Sequence, residues 1–104
     1  MITLNLDYKT ERKFNQLLSV MGMKYDTLIN SFHNYKIQEL QKGIDSLKQE
    51  LKNYEVKYNT SSEVFYKKYI SGDFEDESDN TDFMIWAGEY ESFLEFKEQL
   101  EKLG

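Results

Sequence analysis

The chain contains no cysteine, no proline and a single histidine, and no apolar run in it approaches the length of a membrane span. Without cysteine there is no disulfide framework, no thiolate metal centre and no thiol nucleophile, which suits a reducing, cytoplasmic address. The lone His33 falls within a helical pattern and reads as a packing or surface residue, not a catalytic base. Met1 to Lys13 carries no apolar region that would act as a secretion signal. From Asp73 to Asp82 carboxylates recur at alternate positions, as in a calcium loop. The sixth-position glycine and twelfth-position glutamate of such a loop are missing. These absences lead to the expectation of a soluble, cytoplasmic protein that is not an enzyme, with no membrane, metal or cofactor.

Charge and aromatic residues are what the sequence does have. Of its 104 residues, 39% are apolar and 15% aromatic, with eight Tyr and seven Phe. A chain this short and polar buries a limited core alone, so a partner or a second copy is expected. The charge is uneven. Up to Thr60 there are nine Lys or Arg against seven Asp or Glu; from Ser61 onward there are four against twelve. The acidic whole argues against non-specific nucleic-acid binding, but the N-terminal half alone does not.

Ile2, Leu4 and Leu6 alternate with Thr3 and Asn5, the pattern of a strand with one buried face. Asp7 is placed to cap a helix over about 8–21, whose apolar face is Phe14, Leu17, Leu18 and Met21 and which Gly22 ends. One long helix is predicted from Tyr25 to Tyr58. Leu28, Ile29 and Phe32 give it a broad apolar patch at first. Ile37, Leu40, Ile44, Leu47, Leu51, Tyr54 and Tyr58 then make a narrow seam at alternating spacings of three and four. Thr60 and Glu63 have the spacing of a capping box for a third helix ending at Gly72. After an acidic loop, Phe83, Trp86, Ala87, Tyr90, Phe93, Leu94, Leu100 and Leu103 mark a last helix. A coiled coil through the seam would set Glu50 at a g position against Glu55 at an e position. That like-charge pair favours packing of the seam on the chain's own C-terminal helices or on a partner.

Strand, helix, glycine turn and second helix, with Ile2, Leu4, Leu6, Phe14, Leu17 and Leu18 inward, Gly22 at the turn, and Leu28 and Ile29 beginning the core of the second helix, resemble the ribbon-helix-helix family. The resemblance implies a mainly α fold with one short N-terminal strand. Two copies would pair their strands into a ribbon that enters the DNA major groove. Thr3 and Asn5 would then face the bases, and Lys24 would stand where the family often has a Ser or Thr that clamps a phosphate. Asp7, where the family often has proline, would repel phosphate.

Further on, Glu50, Leu51, Tyr54, Glu55, Lys57, Tyr58, Ser61, Ser62, Glu63, Phe65, Tyr66, Tyr69, Gly72, Asp79, Asp82, Trp86 and Tyr90 resemble the tail of small prokaryotic antitoxins, TumA-like ones among them. That resemblance implies a type II toxin–antitoxin module. Residues 1–36 would form a dimerising, DNA-binding repressor of the operon, and 37–104 an arm of extended helix and helical tail. Tyr54, Tyr58, Phe65, Tyr66, Tyr69, Phe74, Phe83, Trp86 and Tyr90 would hold the cognate toxin, binding it stoichiometrically. Two alternatives stay open: these aromatics pack back on the seam as an ordinary core, or the chain is a homodimeric assembly protein without DNA binding.

Overall fold

The computed structural model describes residues 7–77 and 80–104, and every regular element among them is helical. Four α-helices follow in order: α1 (Tyr8–Met21), α2 (Tyr25–Tyr58), α3 (Ser62–Ile70) and α4 (Thr81–Leu103), with a 3-10 turn at Glu75–Glu77 before α4. The expected fold with one strand and a ribbon-helix-helix dimer is therefore corrected, because no strand occurs among the described residues. Ile2, Leu4 and Leu6, with Thr3 and Asn5, lie outside them. Alternation is a local signal, whereas a strand needs an edge to pair with. Among the described residues every regular element is helical, so none of them offers a β edge.

The helix ends follow from side chains. Asp7 Oδ1 accepts the Thr10 amide at 2.8 Å, and α1 closes at Gly22, whose φ of 65° lets the Met23 amide reach the Leu18 carbonyl at 3.0 Å. The 34-residue α2 ends in the same manner at Asn59, with φ of 54°, where the Thr60 amide reaches the Glu55 carbonyl at 3.2 Å. The expected Thr60–Glu63 box is shifted by one residue. Ser61 is the cap, its hydroxyl accepting the Val64 amide at 3.2 Å. Glu55, one turn back on α2, accepts the Ser62 amide at 2.8 Å, while Glu63 pairs with Lys67. Asn80 caps α4 by accepting the Phe83 amide at 3.3 Å.

The chain divides into two units, Met1–Tyr35 and Lys36–Gly104. In the first, Leu18 and Leu28 are the buried apolar residues among those described, and the Phe14 and Tyr25 rings meet at 5.2 Å. Tyr25 donates its hydroxyl to Asn15. In the second, the seam of α2 turns inward at Leu40, Ile44 and Leu51. A hydrophobic cluster of Leu51, Phe65, Phe83, Trp86 and Ala87 ties α2, α3 and α4 together. Gly43 lets the α4 side chain Phe96 lie against α2, where an added Cβ would stand only 2.8 Å from Phe96 Cε2.

Candidate functional site

Trp86 is the centre of the second unit, with no exposed surface. Its indole stacks on Phe65 at 3.8 Å between centroids and 4° between planes, and it also stacks with Tyr54 and Tyr58, each at 5.6 Å. Phe83 meets both Phe65 and Phe74 edgewise or tilted at about 5 Å. The one polar atom of the indole is satisfied: Nε1–H donates to the hydroxyl of buried Ser62 at 2.8 Å. Tyr66, Tyr69, Phe74 and Tyr90 pack on the same cluster, half-buried. All nine aromatics assigned from the sequence to toxin binding thus meet in one place, as the interior of the unit. A partner that used Phe65 or Trp86 would have to open it.

Two polar clamps hold α4 in register. Asp82 receives Lys57 Nζ at 2.5 Å and the Tyr58 hydroxyl at 2.7 Å. The hydrogen bond from Lys57, then the one from Tyr58, keeps the Asp82 carboxyl below its ordinary range; the bond to Asp82 in turn raises Lys57 and Tyr58. Across α3 and α4, Tyr66 donates to Glu91 at 2.7 Å, and that bond raises the tyrosine.

Sequence reasoning did not find Glu89. Its Oε2 is buried and without a hydrogen-bond partner among the described residues. Burial, then the hydrogen bond and charge of Glu50 on α2, pushes its carboxyl up to about 7. Glu89 and Glu50 lie on different helices, so their meeting depends on how α4 slides along α2, which no spacing in the sequence encodes.

Of the residues assigned to DNA, Thr3 and Asn5 lie outside the described residues. Lys24 is exposed just before α2, where its carbonyl accepts the Leu28 amide at 3.0 Å. Among the described residues no group of three or more His, Asp or Glu side chains could hold a metal ion, and no helix is long and apolar enough to cross a membrane.

No family model, curated protein or solved structure matches this chain. Its chemistry has to be read from its own surface, and that surface is acidic. In Lys36–Gly104 there are nine Lys against sixteen Asp or Glu, while Met1–Tyr35 has four basic residues against three acidic. Asp73, Glu75, Asp76 and Glu77 are exposed, as are Glu91, Glu95, Glu98 and Glu101 along α4. The first unit instead exposes apolar side chains: Leu17, Val20, Met21, Phe32 and Tyr35 are all more than half open to solvent.

Proposed function

We propose that the chain acts in the cytoplasm by stoichiometric binding, as the antitoxin of a toxin–antitoxin module, and that its acidic C-terminal unit covers a basic toxin. The observation that supports this reading best is the excess of exposed carboxylates on a unit whose aromatic core is closed on itself. Such a surface steers a basic partner and blocks a site built for a polyanion, with no chemistry required of the chain. The resemblance of residues 50–90 to antitoxin tails supplies the class of partner.

The N-terminal unit has a separate task in the same proposal. Its exposed apolar residues suit association with a second copy, and the dimer represses the operon by binding DNA, with Lys24 near phosphate. A second reading keeps the dimer and drops the DNA. It is favoured by the all-helical described structure, which offers no β-ribbon to the major groove.

Two measurements separate these readings. Co-expression with the product of an adjacent gene that arrests growth on its own should restore growth and yield a complex of fixed ratio. Growth arrest that persists despite full expression of both proteins would remove the antitoxin role. Titration onto DNA from upstream of its own start codon, at low and physiological salt, should show preference over scrambled DNA. Equal binding to both would leave the assembly reading in place.

A further inference from the structure

Two glycines interrupt the long helices of the second unit, and only one is explained by packing inside the chain. Gly43 makes room for Phe96. Gly88 sits inside α4, a Cβ built there meets nothing within 4 Å among the described residues, and the residue is exposed. Glycine is among the least favourable residues in a helix interior, so this position spends helix stability without an internal return. One turn before it, Met84 and Ile85 are 57% and 44% exposed on the same outer face, since residues three and four apart share a side of a helix. Glu91 and Glu95, exposed, continue that face. The face is thus a shallow notch with two apolar side chains at one end and carboxylates at the other.

We infer that the outer face of α4 around Met84, Ile85 and Gly88 is a docking surface for a basic protein segment that seats an apolar side chain over Gly88. The charge of α4 selects this occupant. Of the six Asp or Glu of α4, Asp82 is paired with Lys57, Glu89 meets Glu50 of α2 and Glu98 is paired with Lys102, which leaves beside the notch Glu95 and Glu91, the latter also accepting the Tyr66 hydroxyl. Of the two lysines of α4, Lys97 lies over the Phe93 ring and Lys102 pairs with Glu98, so neither offsets the carboxylates beside the notch. A second copy of this helix would bring like charge to like charge, whereas lysines or arginines flanking an apolar residue meet Glu91 and Glu95. The inference rests on the antitoxin reading for the partner's class and moves the contact from the buried aromatics to the opposite side of the same helix.

The test uses the full chain, labelled for NMR, titrated with three synthetic peptides. One is amphipathic with leucines at helical spacing and flanking lysines; the second replaces lysine with glutamate; the third replaces leucine with serine. The lysine–leucine peptide should shift amides over 81–95, and the other two should bind at least about tenfold more weakly. Gly88→Leu fills open space and keeps the fold, so it should lose about tenfold in affinity at an unchanged or higher Tm; Ile85→Lys should do the same. Equal binding of the lysine and glutamate peptides, full affinity of Gly88→Leu, or shifts scattered over the chain would overturn the proposal. So would a dimer in sedimentation that Gly88→Leu dissolves, because a second copy would then own the face. The co-expression assay keeps the two readings apart. Rescue by Gly88→Leu equal to that by the unaltered chain sinks this surface and leaves the antitoxin; peptide discrimination without any rescue does the reverse.

Discussion

The two units solve the problem of a small core in opposite ways. Lys36–Gly104 gathers five buried apolar side chains and seven partly buried aromatic ones into a single cluster, and satisfies the indole nitrogen at its centre. Met1–Tyr35 buries Leu18 and Leu28 and leaves Val20, Phe32 and Tyr35 open. Aromatic rings fill volume with few rotors and gain from stacked and edgewise contact, so a short acidic segment can close a core with them. Two helices joined by a glycine turn have only one face each to give, and the described residues of this unit add no third layer to cover it. The lesson is that aromatic content closes a core where α2, α3 and α4 meet, whereas in the first unit Phe14 and Tyr25 pair while Phe32 and Tyr35 stay open.

The comparison breaks most readily at Trp86. Trp86→Ala removes the ring that Tyr54, Tyr58 and Phe65 stack on and leaves the Ser62 hydroxyl buried and alone, an expected loss of about 3–5 kcal/mol. Leu18→Ala in the first unit should cost about 2 kcal/mol, at the low end for a leucine, because its surroundings are half open. Denaturant titration of both variants checks the order. Equal losses would mean that the first unit is as tightly built as the second.

Next in size is Gly43→Val. An added Cβ stands 2.8 Å from Phe96 Cε2 and 3.0 Å from Cδ2, so either the ring or α4 must move, costing about 1–3 kcal/mol. A variant as stable as the parent would show that Phe96 swings clear without loss.

Much of the helical layout was legible in the sequence, and the reasons are local. Asp7, Gly22 and the seam from Ile37 to Tyr58 mark the bounds of α1 and α2 because caps and 3.6-residue periodicity depend on near neighbours. The cap of α3 was missed by one residue, since Thr60 and Ser61 are both good caps. The choice went to Ser61 once Thr60 was taken up in the turn closing α2. The strand expected over 2–6 lies outside the described residues; what is corrected is the fold class, since every regular element among the described residues is helical. For the site, the sequence named the aromatics that gather but not whether they face in or out. That depends on α3 and α4 folding back on α2, and it places Phe74, from the acidic segment before α4, against Phe65 and Phe83.

Glu89 sharpens the comparison through pH. Its carboxyl is ordinarily half-protonated near 4.5 and is held up to about 7 here. Between those values the folded chain binds a proton that the unfolded chain has released, so stability falls as pH rises through that window and levels off above it. Glu89→Gln should flatten this slope and stabilise the protein above pH 7, on the order of 1–2 kcal/mol after discounting for partial exposure. Asp82 acts in the opposite sense and elsewhere on the scale. Its lowered carboxyl contributes stability that is present above its ordinary value of 3.8 and lost as pH falls through its folded value. Tm measured from pH 3 to pH 9 separates the two, and a slope between 4.5 and 7 unchanged by Glu89→Gln would assign it to another group.

The smallest effect is the most informative about what the second unit faces. Gly88→Ala adds a methyl where nothing stands within 4 Å and replaces glycine by the best helix former, so the isolated chain should gain roughly 0.5–1 kcal/mol. Gly43→Ala gains the same helix preference but sets its methyl against Phe96, and its net effect should be smaller or reversed. Thermal melts of the two single variants and the double variant measure this difference directly, and since the sites touch no common residue the double should equal the sum within about 0.5 kcal/mol. If Gly88→Ala destabilises the isolated chain, something inside the molecule does rest on that glycine, and its explanation lies within the fold. If it stabilises as expected, nothing in the fold requires glycine at this place, and the peptide titration with Gly88→Leu decides whether a partner uses it.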